Sequence, residues 1–167
     1  MPETQTLKSD PASDGAGVQD PRVVLIPAAQ GDTCLDRLDG IDIQYYRSVH
    51  MGGAEFSSIL HYLLVLRFSG KTVIFAADAE SIPENFRALT KLGKIDLLFI
   101  NPLFYQKKAG KQILDRLNVE QVAIDHVPFA GEDPTGLRMV AEKCVRSAQD
   151  LPYAVTLLEA QGQTLLL

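Results

Sequence analysis

Three residues in this chain pair a ligand-type side chain with a position that could present it: His50, Asp78 and His126. Each comes at the end of an apolar run with the look of a strand. His50 follows IDIQYYRSV, Asp78 ends TVIFAA, and His126 follows VAI and Asp125. Loops at the strand ends of an α/β sheet are where such folds build sites, because the sheet fixes the loop bases and leaves the tips open. Two imidazoles and one carboxylate brought together give an N,N,O donor set, which suits Zn²⁺, Mn²⁺ or Fe. A carboxylate ending a buried strand also suits a catalytic acid. Each residue has a structural alternative. Asp78 could cap a helix starting near Ser81-Ile82-Pro83-Glu84, and either histidine could be a surface or hydrogen-bonded structural residue. The third histidine of the chain, His61, falls inside a strand, where packing is expected rather than ligation.

The elements that must carry these residues are organised around residues 60–78, LHYLLVLRFSGKTVIFAAD. Residues 62–68 and 72–77 are near-continuous apolar runs joined at Ser69-Gly70-Lys71, the pattern of strands buried on both faces. Further strands are expected over residues 22–27, 41–49, 95–100, 119–124, 153–158 and 164–167. Residues 31–38 are expected to form one or two helical turns. Helices are expected over residues 84–92, with Gly93 as C-cap, over 108–117, and over 134–147, where Pro134 suits the first turn. Strands alternating with helices from residue 72 to 160 indicate an α/β layer architecture. Residues 1–21, polar and rich in Pro, Ser, Asp and Gly, are expected to be a disordered N-terminal tail ahead of one domain over 22–167.

Composition narrows the function. The 167 residues suffice for one domain with a core, and 46% apolar with 22% charged content is ordinary for a globular chain. A net charge of −5 argues against nucleic acid or an anionic membrane as partner. No window approaches the ~18 apolar residues of a membrane span, and the first residues lack the basic start and apolar stretch of a signal peptide. Cys34 and Cys144 form no CxxC pair, so a reduced, cytoplasmic setting is expected. There is neither a GxSxG elbow nor a Walker A loop.

Four segments together resemble the C-terminal half of the metallo-β-lactamase fold, in particular its sugar-lactonase-like and general metal-dependent hydrolase branches. They are SVHMGG (residues 48–53), LLVLRFSGKTVIFAAD (63–78), IDLLFINP (95–102) and VAIDHVPF (122–129). The resemblance spans residues 22–167 and implies an α/β half fold, a mixed sheet with helices packed on one face. In the family a histidine precedes the hairpin, the hairpin ends in Gly-Asp, and a last histidine follows a late strand. The resemblance therefore implies that His50 is a ligand of a first metal and His126 of a second. It makes Asp78 the bridging, catalytically placed carboxylate. Two departures stand out. Ala77 replaces the glycine before the aspartate, and the HxHxDH signature is absent, since none of the three histidines is spaced as HxH.

Three functions follow from this reading. The first is a metal-dependent hydrolase, or half of a split one, with an incomplete site in this chain. The second is a non-catalytic binding or regulatory relative. The third is an α/β domain in which the three residues are structural. The strands are apolar on both faces, yet the helices can cover only one. The other face is expected to meet a partner, either a second copy in a homodimer or a separate chain supplying the missing half.

Overall fold

The computed structural model of the chain describes residues 6–9, 23–26, 33–129, 131–148 and 150–167. Two short strands, β1 (Thr6–Ser9) and β2 (Val23–Ile26), pair in parallel. β1 falls within the stretch expected to be a tail, and the rest of residues 1–22 lies outside the described residues.

The main body is a seven-stranded sheet whose strands lie side by side in chain order. They are β3 (Thr33–Leu38), β4 (Ile41–Ser48), β5 (His61–Phe68), β6 (Lys71–Phe75), β7 (Lys94–Ile100), β8 (Asn118–Ile124) and β9 (Ala154–Leu157). The first four pair antiparallel, and β6 through β9 run parallel. Parallel neighbours need crossover connections, and these carry the helices. α1 (Pro83–Phe86) joins β6 to β7, α2 (Pro102–Gln106) and α3 (Lys108–Leu114) join β7 to β8, and α4 (Leu137–Arg146) joins β8 to β9. Crossovers of one hand between strands in sequential order leave all helices on the same face.

That face holds the principal core. Phe86, Leu89, Phe104, Tyr105, Ile113, Leu114, Ala141 and Cys144 pack on Leu63, Val65, Ile74, Leu98, Ile100, Val122 and Ile124 of the sheet. Leu63, Ile74, Leu98, Ile100 and Ile124 are wholly buried, and each stabilises the fold by roughly 1.5–3 kcal/mol. The alternate residues of the same strands form a smaller cluster on the opposite face. Val73, Leu97 and Ala123 are buried there, with Leu66, Phe68, Phe75 and Phe99 partly so. Phe75 and Phe99 stack at 4.3 Å. Among the described residues no helix packs on this face; Leu158 and Leu165 of the C-terminal segment pack on it instead.

The structure departs from the sequence reading in several elements. Residues 33–38 are a strand, not helical turns. Asp39 and Gly40 (φ 49° and 83°) make a two-residue turn that pairs Leu38 with Ile41, and such a turn twists to match antiparallel strands. Ser69 and Gly70 (φ 49° and 75°) do the same between β5 and β6. The helix expected over residues 84–92 is only the single turn of α1 and a 3₁₀ turn at Leu89–Lys91. α2 was unforeseen. It starts because Asn101 caps it, accepting from the Phe104 N–H at 2.8 Å, with Pro102 in the first turn. The helix expected over residues 134–147 starts at Leu137, after Gly136 in a left-handed conformation. Residues 164–167 form no strand.

Candidate metal centre

Backbone pairing brings the first two candidate residues together. The chain at His50 forms an antiparallel bridge with Ala79. Met51 N–H donates to the Asp78 carbonyl at 2.7 Å, and Glu80 N–H donates to the Val49 carbonyl at 2.8 Å. The buried Asn85 side chain locks this clip. It accepts from Val49 N–H at 2.8 Å and donates to the carbonyls of Val49 and Glu80 at 3.0 and 2.8 Å. His126 follows β8, the second strand over from β6. Its loop is tied to the neighbouring strand where Asp125 N–H donates to the Ile100 carbonyl at 3.0 Å.

The result is a convergence. His50 Nε2 and His126 Nε2 each lie 3.9 Å from the same Asp78 oxygen, Oδ2. The other carboxylate oxygen, Oδ1, is 3.4 Å from the Asn101 amide, which also donates to the Ala77 carbonyl at 2.9 Å. The capping alternative for Asp78 does not apply, because α1 is capped by Ile82 with no side-chain bond.

Both imidazoles are oriented from behind. His50 Nδ1 meets the Met51 carbonyl at 2.5 Å. A carbonyl only accepts, so Nδ1 carries a proton, and in the neutral ring the lone pair is then on Nε2. His126 Nδ1 lies 2.9 Å from Asp125 Oδ1. This hydrogen bond, ahead of the charges of Asp125 and Asp78, raises the His126 pKa against the opposing effect of burial. Metal-ligating histidines characteristically donate their second ring nitrogen to a carbonyl or carboxylate in this way.

Sequence reasoning set His61 aside as a packing residue, but the structure turns it toward the site. Its ring meets that of His50 edge-on at 5.4 Å, and Ser48 Oγ lies 2.6 Å from its Nδ1. Burial first, then the nearby His50, lowers its pKa, while Asp78 acts in the opposite direction. The spacing of His61 in sequence gave no sign of this. A histidine at the first position of β5, in register with Ser48 of β4, was the available signal. Asn85, Asn101 and Asp125 were also not singled out, although Asp125 adjoins His126 in sequence.

Two residues here adopt positive φ without being glycine, Ala77 (44°) and His126 (54°). Such backbone is disfavoured for L-residues and tends to persist at functional sites. The Gly-Asp of the resembled family is thus explained: the residue before Asp78 turns left-handed, and here alanine does so.

Each histidine is close enough to Asp78 for the two to share an ion. One ion can reach two donors only if they lie within ~4.1 Å, and a tetrahedral centre sets them ~3.3 Å apart. At 3.9 Å both pairs fall inside the limit, about half an ångström wide of the tetrahedral spacing. Among the described residues no three His, Cys, Asp or Glu side chains are already drawn in to the spacing of a bound ion. The larger surface clefts lie elsewhere. One of about 500 Å³ beside β4 and α1 is lined by Arg47, Glu84, Arg87 and Lys91 and offers no such donor set.

No protein-family model and no curated protein matches this sequence. Solved structures do. A variant of the β-hydroxylase CmlA superposes with a TM-score of 0.60 at 17% identity, over 82% of this chain and 32% of that one. The metallo-β-lactamase fold protein YhfI of Bacillus subtilis gives 0.52 at 16%, over 84% and 55%. A protein of the metallo-β-lactamase superfamily from Thermotoga maritima, proposed to be a zinc-dependent hydrolase, gives 0.51 at 14%, over 83% and 73%. With these neighbours, the seven-stranded mixed sheet with helices on one face is an α/β fold of the metallo-β-lactamase type. The chain spans about a third of CmlA and about half of YhfI. Among the described residues no helix is long and apolar enough to cross a membrane.

Proposed function

We propose that this domain is the metal-binding part of a metallo-β-lactamase-like hydrolase, holding Zn²⁺, Mn²⁺ or Fe through His50, Asp78 and His126. The observation that carries the reading is the convergence of two imidazole Nε2 atoms on one Asp78 oxygen, with both Nδ1 atoms held by acceptors. A bound ion would supply a water of lowered pKa, the nucleophile of such hydrolases. The residues of this chain hold and orient the donors: Met51 and Asp125 fix the two rings, and Asn101 steadies the carboxylate. The donors that the HxHxDH signature would provide are not among these 167 residues, and on this reading they come from outside them.

The sheet face that carries no helix is the surface on which a partner would pack. A groove of about 350 Å³ runs between the C-terminal segment and Leu66, Phe68, Phe75 and Phe99. The absence of HxHxDH favours a second reading, in which the domain binds a metal or a ligand without turnover.

Calorimetric titration of Zn²⁺ tests the proposal. The intact chain is expected to bind close to one ion, and Asp78→Ala to lose most of that affinity. Wild-type protein with no Zn²⁺ binding, or an Asp78→Ala variant equal to it, would refute the assignment.

A further inference from the structure

We propose that His61 is a third imidazole donor of this centre, binding the ion through Nε2 and oriented by Ser48. The inference rests on the metal-binding reading above and extends it, because it lets the chain supply three nitrogens and one carboxylate by itself.

The placement begins with strand register. His61 opens β5 directly opposite Ser48, the last residue of β4, and His50 lies two residues beyond Ser48. The pairing that builds the sheet therefore delivers His61 beside His50. Ser48 is buried, and its hydroxyl lies 2.6 Å from His61 Nδ1. That contact leaves Nε2, which has no hydrogen-bond partner among the described residues.

Ring geometry is the second observation. The His50 and His61 rings are 5.4 Å apart between centroids and 85° apart in plane. With ~2.05 Å bonds and about 1.1 Å more to each ring centre, two imidazoles on one tetrahedral ion have centroids ~5.2 Å apart. The observed pair is close to that spacing, which also falls within the range of an edge-to-face ring contact. In all three rings Nδ1 meets an oxygen, of Met51, Asp125 or Ser48; the Ser48 hydroxyl can accept as well as donate, and when it accepts from Nδ1 the His61 lone pair lies on Nε2.

The test is titration of the full chain with Co²⁺, which reports donor number through its visible absorption, followed by competition with Zn²⁺. His61→Ala is expected to weaken binding at least ~100-fold and to change the Co²⁺ spectrum. Ser48→Ala, which removes only the orienting hydroxyl, should weaken binding ~10-fold. His61→Asn, which keeps a polar group beside Ser48, serves if the alanine variant fails to fold, and should show the same loss as His61→Ala. If His61 variants match wild type in affinity and spectrum while Asp78→Ala loses the metal, the His61 assignment falls and the parent reading stands. If wild-type protein binds no Co²⁺ or Zn²⁺, both fall.

Discussion

Replacing Asp96 by Asn should destabilise the fold at neutral pH and matter progressively less in acid. Asp96 lies on β7 beside the start of β6, with its side chain 6% exposed. Oδ2 accepts from Thr72 N–H at 2.9 Å, and Oδ1 meets Lys71 Nζ and Lys94 Nζ, each at 3.2 Å. The Thr72 N–H bond, then the two ammonium groups, pull its pKa down to about 2 against the opposing effect of burial. An unfolded aspartate titrates near 3.9, and each unit of difference is worth ~1.36 kcal/mol. The gap corresponds to about 2.5 kcal/mol, which solvent screening of the partly exposed lysines lowers to about 2 kcal/mol. Because the folded pKa is the lower one, this stability is fully present above pH ~4 and is lost as pH falls through ~2. Urea denaturation of wild type and Asp96→Asn at pH 7, 4 and 2.5 measures it. The variant should be less stable by about 2 kcal/mol at pH 7, and the gap should shrink markedly by pH 2.5. A gap that stays constant across this range, or none at pH 7, would show that the ionised carboxylate is not what pins β6 to β7.

Other perturbations test other parts of the molecule. Ala77→Gly should stabilise the protein by about 0.5–1 kcal/mol in the same assay, since relief of the left-handed alanine, ~1–2 kcal/mol, outweighs the added freedom of the unfolded chain. Loss of stability would mean that the Ala77 methyl contributes packing the backbone argument omits. Gly110→Ala should destabilise by about 3 kcal/mol, at the upper end for overpacking. A Cβ there would stand 2.0 Å from the Phe104 carbonyl oxygen, where α3 lies against α2; a thermal melt within a degree of wild type would contradict this. Sedimentation at micromolar concentration should reveal a dimer or a co-purifying chain, and Phe75→Asp on the helix-free face should abolish it. A clean monomer would show that the C-terminal segment covers that face sufficiently by itself.

Much of the architecture was legible because it rests on local and periodic signals. The apolar runs within β5, β6, β7 and β8 announced strands buried on two faces, and both clusters, one under the helices and one opposite, are there. The chain order of His50, Asp78 and His126 relative to those strands identified three residues that the fold does bring together. Local signals were weaker where two of them competed. Residues 33–38 lacked a clear period, and the Asp39-Gly40 turn that decides their pairing was passed over. The stretch at 84–92 buries Phe86 and Leu89 as its spacing suggested, but from one α-turn and one 3₁₀ turn in place of a continuous helix.

Other features depended on long-range geometry. The sequence held His61 as an apolar-strand residue, because period alone places a side chain on a face but not beside His50, eleven positions away across the β4–β5 connection. Only the pairing of Ser48 with His61 sets the two rings edge to edge. The sharing of Asp78 Oδ2 by two histidines depends in the same way on the 50–79 bridge and on the order of β6, β7 and β8. Sequence determined which donors exist and which strands carry them. Tertiary structure decided which donors meet, because convergence arises from pairing and crossover between segments tens of residues apart, and composition and periodicity do not encode that distance.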